Sequence, residues 1–160
     1  MHIYTRSTSF NADLHIFLSK FREVNIASMI LPDMSIEIYE RFYKNQFEKE
    51  RVSVSFLITP STTNDRINRI AETSKNSFVY LCFQTSVTGG ALKITNQLMD
   101  RYGEIKSICN QTPVMLGFGI SSKEDVVKAQ QNCDGAIVGS AYLKALKIGE
   151  VELFLEEILG

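Results

Sequence analysis

Charge of one sign is what this sequence most plainly lacks: 17 basic residues face 18 acidic ones, for a formal net charge of -1. With no basic stripe above that balance, the chain has no electrostatic footprint for nucleic acid. It has no apolar run near the ~20 residues that a membrane-spanning helix needs. Its opening stretch, MHIYTRSTSF, has no apolar core of a signal peptide. Cysteine is scarce. Cys82, Cys109 and Cys133 are an odd number at unrelated spacings, which speaks against a disulfide framework or a metal site and for inert buried thiols. Histidine is scarcer still, and neither His2 nor His15 has a serine or cysteine partner in sequence. His15 lies among apolar helical residues and reads as an ordinary helix residue. Two nucleotide motifs are also missing. G-x-x-x-x-G-K-[ST] does not occur, and GFGISS offers G-x-G late in the chain, without a third glycine. These absences describe a cytoplasmic chain with no membrane and no nucleic-acid partner.

What is present is an alternation. Of the 160 residues, 44% are apolar and 22% charged, and no linker rich in Gly, Pro or Ser divides them, so residues 1–160 are expected to form one domain. Short β-branched runs at 2–5, 26–31, 52–58, 78–83, 113–116 and 135–138 read as strands. Between them lie amphipathic stretches. Leu14, Phe17, Leu18 and Phe21 share a helical face; Asp33 or Ser35 caps a helix that turns Ile38, Tyr39 and Phe42 inward; caps at 61–63 precede Ile67 and Ile70; and a helix is expected from about Leu92 to Cys109. Val151 to Leu159 reads as a terminal helix.

Strands that are each followed by a helix require parallel pairing with right-handed crossovers. Their continuous apolar character suits a sheet covered on both faces. An open doubly wound sheet and a (β/α) barrel both satisfy this pattern. In either, a ligand sits at the C-terminal ends of the strands, and three turns there bear glycine: Val87-Thr88-Gly89-Gly90, Gly117-Phe118-Gly119-Ile120-Ser121 and Gly139-Ser140. Glycine lets backbone N–H groups approach an anion, and the following helix N-terminus adds a favourable dipole. A lone glycine pair is usually only a turn; three after successive strands make a phosphate cradle at Gly119, Gly139 and Ser140 the leading reading.

The residues also carry a resemblance. PVMLGFGISSKEDV followed by CDGAIVGSAYLK resembles the last two β-α units of the tryptophan synthase alpha chain, and FVYLCFQTSVTG resembles that family's sixth strand and mobile loop. ILPDMSIEI and Val54 to Pro60 look like two earlier strands. The likeness runs from near residue 4 to near residue 147. It implies an α/β fold, a partial (β/α)8 TIM barrel whose six β-α units correspond to the third through eighth strands. It implies a lyase family that cleaves indole-3-glycerol phosphate to indole and glyceraldehyde 3-phosphate in tryptophan biosynthesis. The family needs no cofactor in this chain; pyridoxal phosphate belongs to a beta subunit, the expected partner. By resemblance, Gly89, Gly119, Gly139 and Ser140 would hold the substrate phosphate. Phe118 would pack on the indole, Tyr80 would line the glycerol side, and Gln84 and Thr88 would belong to the mobile loop.

Three departures accompany it. A full barrel takes about 250 residues, and no acidic residue here matches the family's catalytic glutamate or aspartate, which lie in its first two strands. Gln84 stands where the family has arginine, and Ser86 replaces a loop glycine. The expectation is an N-terminally truncated chain, from a shortened gene product or a misassigned start, without turnover of its own. The alternatives are a non-catalytic phosphate-binding remnant and another phosphate-binding barrel enzyme, such as a histidine-biosynthesis or phosphoribosylanthranilate isomerase.

Overall fold

The computed structural model describes residues 10–82, 96–117 and 119–160. The strand expected at 2–5, the start of the helix expected from Leu92, and the loop containing Gln84, Ser86, Thr88 and Gly89 lie outside the described residues, as does Phe118.

The chain begins with α1 (Phe10–Glu23) and β1 (Ser28–Ile30). A helix follows in three parts: α2 (Ile36–Ile38), a π-helical turn (Tyr39–Tyr43) and α3 (Lys44–Glu50). Next come β2 (Ser53–Ser55), β3 (Leu57–Ile58) and α4 (Asn64–Thr73). Then β4 (Val79–Cys82), α5 (Asn96–Cys109), β5 (Val114–Gly117) and α6 (Lys123–Asn132) alternate. The chain ends with β6 (Gly135–Ile137), α7 (Ser140–Ile148) and α8 (Val151–Leu159). No helix among the described residues is long and apolar enough to cross a membrane.

Every pairing is parallel and follows chain order: β1 with β2, then β3 with β4, β4 with β5, and β5 with β6. The segment 53–58 joins the two ladders. Ser55 C=O accepts from Leu31 N–H on one side (3.4 Å), and Phe56 C=O accepts from Tyr80 N–H on the other (3.0 Å). An open doubly wound sheet reverses its strand order at a switch point; this one does not. The sequential winding is that of a barrel wall.

The two faces of that wall differ. Met29, Val54, Ile58, Val79, Leu81, Val114 and Leu116 are all buried, and they alternate with residues that point the other way. The opposite face carries Ser28, Leu57, Tyr80, Cys82, Met115 and Ile137, all half-buried. Among the described residues the helix side is thus buried nearly throughout, while the opposite face, Ser55 and Gly117 apart, is only half-buried. Register lines the other face up in rows. Leu57, Tyr80, Met115 and Gly135 form one, and Cys82, Gly117 and Ile137 the next. Large residues lean onto glycines of the neighbouring strand. A Cβ on Gly117 would collide with the Tyr80 ring, and one on Gly135 would sit 2.6 Å from Met115 Cε.

The helices bury the faces their sequences dictate, with one correction. Ser35 is the N-cap, its hydroxyl accepting from Ile38 N–H (3.3 Å). The inward residues after it are Ile36, Tyr39, Tyr43, Phe47 and Glu50, at helical spacings of three and four. Ile38 and Phe42, expected inside, are 47% and 57% exposed, because that spacing leaves them on the outer side. Tyr39 packs edge-on against both Phe47 (5.4 Å between centroids) and Phe56 (5.2 Å), anchoring this helix to the sheet.

Candidate functional site

At the C-terminal end of the sheet, register fixes where the glycine turns fall. Gly117 pairs with Ile137, and Gly119 and Gly139 each stand two residues beyond their paired strand residue. The two turns are thus brought side by side on adjacent strands. Gly119 has φ of 78°, a left-handed conformation that L side chains adopt only with strain. Ile120 is buried and pins the turn from below.

The next residues are held by a side chain that pattern reasoning did not single out. Asp125 Oδ2 accepts from the N–H groups of Ser121 (3.0 Å) and Ser122 (3.1 Å), while Ser122 Oγ accepts from Asp125 N–H (3.2 Å). This is a capping box, and its signal was visible in the spacing Ser122-x-x-Asp125. Partial burial works against the Asp125 charge, but the hydrogen bonds from Ser121 and Ser122 outweigh it and keep the carboxyl below the usual range. Asp125 is therefore committed to shaping the turn.

On the neighbouring strand, Gly139 is the N-cap of α7 and Ser140 its first residue. The first amides of a helix have no intrahelical acceptor, and the first such bond here runs from Leu143 N–H to Gly139 C=O. A Cβ on Gly139 would meet nothing within 4 Å, so the space in front of this helix start is open. Amides, a dipole and a free hydroxyl converge on one strand end, an arrangement that suits an oxyanion.

Tyr80 and Cys82 line the open face just below. The Tyr80 ring lies over Gly117, which leaves room for it by having no side chain. Burial pushes the Cys82 thiol up to about 11, which favours the protonated form at neutral pH. Burial likewise raises Cys109 to about 11 and Cys133 to about 12. Among the described residues no group of three His, Cys, Asp or Glu side chains could hold a metal ion.

Beside this lies a cleft of about 280 Å³ at the C-terminal end of β1, lined by Pro32, Asp33, Ser35, Leu57 and Arg66. Arg101 reaches from α5 to the turn after β3, donating to the carbonyls of Pro60 (3.0 Å) and Thr62 (2.7 Å). His15 is elsewhere. Its Nδ1 lies 3.0 Å from Oε1 of the buried Glu50, just ahead of the N-terminal end of β2 and so away from the glycine turns. Nothing in that position serves chemistry at the strand C-termini.

Sequentially wound parallel β-α units, with their strand-to-helix turns at one end, define the class: a partial (β/α)8 barrel. Residues 3–155 match the sequence profile of the tryptophan synthase alpha chain. The chain is 38% identical over 145 residues to the tryptophan synthase alpha chain of Flavobacterium psychrophilum, covering 89% of this chain and 57% of that one. It is 34% identical over 131 residues to that of Methanocaldococcus jannaschii, covering 82% and 46%. Among solved structures, a variant alpha subunit from Pyrococcus furiosus superposes with a TM-score of 0.77 at 25% identity, covering 94% of this chain and 62% of that chain. The protein belongs to the tryptophan synthase alpha chain family. It spans a little over half the length of the first of these relatives.

Proposed function

We propose that this chain carries the phosphate-binding end of a tryptophan synthase alpha-type site, and that the 160 residues alone do not turn over indole-3-glycerol phosphate. The observation that supports the cradle is the matched offset of Gly119 and Gly139 beyond the paired residues Gly117 and Ile137. In this reading their amides and that of Ser140, with its hydroxyl, donate hydrogen bonds to the substrate phosphate, and Gly89 completes the cradle. Tyr80 walls the glycerol side and Phe118 packs on the indole, with Gln84 and Thr88 in the loop above.

The family's retro-aldol cleavage needs an acid to protonate indole C3 and a base to take the glycerol hydroxyl proton. Each such group contributes roughly 10²- to 10⁴-fold. Asp125, the acid of the Gly119 turn, is bound to the turn amides, and Glu50 lies at the opposite end of the strands, paired with His15. Asp33 stands exposed after β1, three strand positions from the Gly119 turn. The chain itself calls for no cofactor; in this reading a beta subunit carrying pyridoxal phosphate is the cytoplasmic partner that receives the indole.

Titration with inorganic phosphate, followed by amide NMR, tests the cradle. Saturable shifts at Gly119, Gly139 and Ser140 are expected, and Gly119→Ala should weaken them at least tenfold because φ there is 78°. Shifts that never saturate would defeat it. Indole released from indole-3-glycerol phosphate by the purified chain would overturn the second half of the proposal.

A further inference from the structure

The turn after β1 and the start of α4 face one another across the cleft described above. Its lining is largely apolar, with Met34 and Ile36 from one side, Leu57 from β3 and Ile70 from α4. Two opposite charges stand among them: Asp33 from the turn, and Arg66, one helical turn before Ile70. They do not pair with each other. Arg66 turns instead to Glu37, with Nη1 to Oε1 at 2.6 Å and Nη2 to Oε2 at 3.3 Å.

Both charges keep unused capacity. A guanidinium carries five N–H donors, and the fork on Glu37 occupies two of them. Glu37 also has Arg69 Nη1 at 3.6 Å, and Arg69 bonds in turn to Glu40, so these two acids and two bases balance. Asp33 stands outside that ladder. It is the one acid lining the cleft, and its side chain has no hydrogen bond or ion pair among the described residues.

This arrangement selects by exclusion. A simple anion that reaches Arg66 also meets the Asp33 carboxylate, and a simple cation meets the reverse conflict. A neutral apolar molecule would desolvate both charges without an answering group. The volume, about 280 Å³, lies just under the range of about 300–1,000 Å³ usual for small-molecule sites. A small zwitterion with an apolar body answers each of these constraints.

We propose that the cleft binds a free α-amino acid with an apolar side chain. Its carboxylate joins Arg66, its ammonium joins Asp33, and its side chain lies over Met34, Leu57 and Ile70. Both polar contacts are charge-assisted hydrogen bonds, the stronger kind. A ligand held in this way ties the turn after β1 to α4. The cleft stands three strand positions from the Gly119 turn, so the inference does not rest on the phosphate cradle.

Titration with L-leucine and with L-phenylalanine, read by amide NMR, tests it. Saturable shifts are expected at Asp33, Met34, Arg66 and Ile70 with at least one of the two. The N-acetyl and amide forms of the better binder, each lacking one charge, should bind at least tenfold more weakly. Asp33→Asn should weaken the free amino acid at least tenfold and leave the N-acetyl form unchanged, a pattern that loss of folding cannot mimic. Arg66→Gln should do the same with the amide form unchanged. Both residues are exposed, so neither variant should disturb the fold. The proposal is overturned by shifts that saturate with neither amino acid, by shifts confined to the glycine turns, by blocked forms that bind as well as the free one, or by binding that Asp33→Asn leaves untouched.

Discussion

The two ends of this molecule are stabilised differently. Up to α5, each of α1, the composite helix running from α2 through α3, α4 and α5 buries three or more residues, and the aromatic contacts of Tyr39, Phe47 and Phe56 lock one helix to the sheet. From β6 onward the strand is half-buried and α7 and α8 each bury a single residue, while five of their leucines stay exposed. The C-terminal end is no poorer in apolar residues than the rest; the difference lies in what each apolar face finds to pack against. A helix with an apolar stripe is not thereby part of a core.

That contrast can be broken most directly by truncation at both ends. Phe47→Ala, at a fully buried site, should cost about 3–5 kcal/mol in urea unfolding. Leu146→Ala, at a site 54% exposed, should stay within about 0.5 kcal/mol. Equal costs would mean that α7 packs as firmly as α3. Next in size is Gly117→Ala, which forces the Tyr80 ring to move and should cost about 1–3 kcal/mol. Tyr80→Ala in that background should recover part of the loss; a double-mutant cycle with no coupling would clear the ring of blame. Ser122→Ala removes one half of the capping box and should lower stability by about 1 kcal/mol, seen as a lower urea midpoint. The smallest effect is in acid. The folded carboxyl of Asp125 lies below its unfolded value of about 3.9, so its contribution is whole above that value and fades as pH falls through the folded one. Asp125→Asn should flatten the stability–pH profile as the pH falls below the unfolded carboxyl value of about 3.9; an unchanged slope would show the carboxylate contributes nothing there.

Much of this architecture was legible. The runs 52–58, 78–83 and 113–116 each became strands because β-branched and aromatic residues cluster there between turn formers. The helix after Ser35 was found, but its inward face was misjudged. Ile36, Ile38, Tyr39, Phe42 and Tyr43 supply apolar residues on two sides of one helix, and only the position of Phe56 decides which side is covered. Gly119 and Gly139 were recognisable as strand-end glycines, yet their side-by-side placement depends on the Gly117–Ile137 register, which no local pattern contains. His15 and Glu50 are likewise distant in sequence and meet only because α1 packs on α3. Asp125 is the opposite case: its spacing from Ser122 was readable by the capping rule.

The divided segment 53–58 has a geometric consequence. Its first half bonds to the strand on one side and its second half to the strand on the other, so hydrogen bonding climbs as it crosses the sheet. A ladder that climbs in this way tilts its strands against a common axis, and that stagger relates strand number to the diameter of a closed cylinder. Val54 to Ile58 thus writes the pitch of a cylinder into a wall that, among the described residues, covers only part of its circumference.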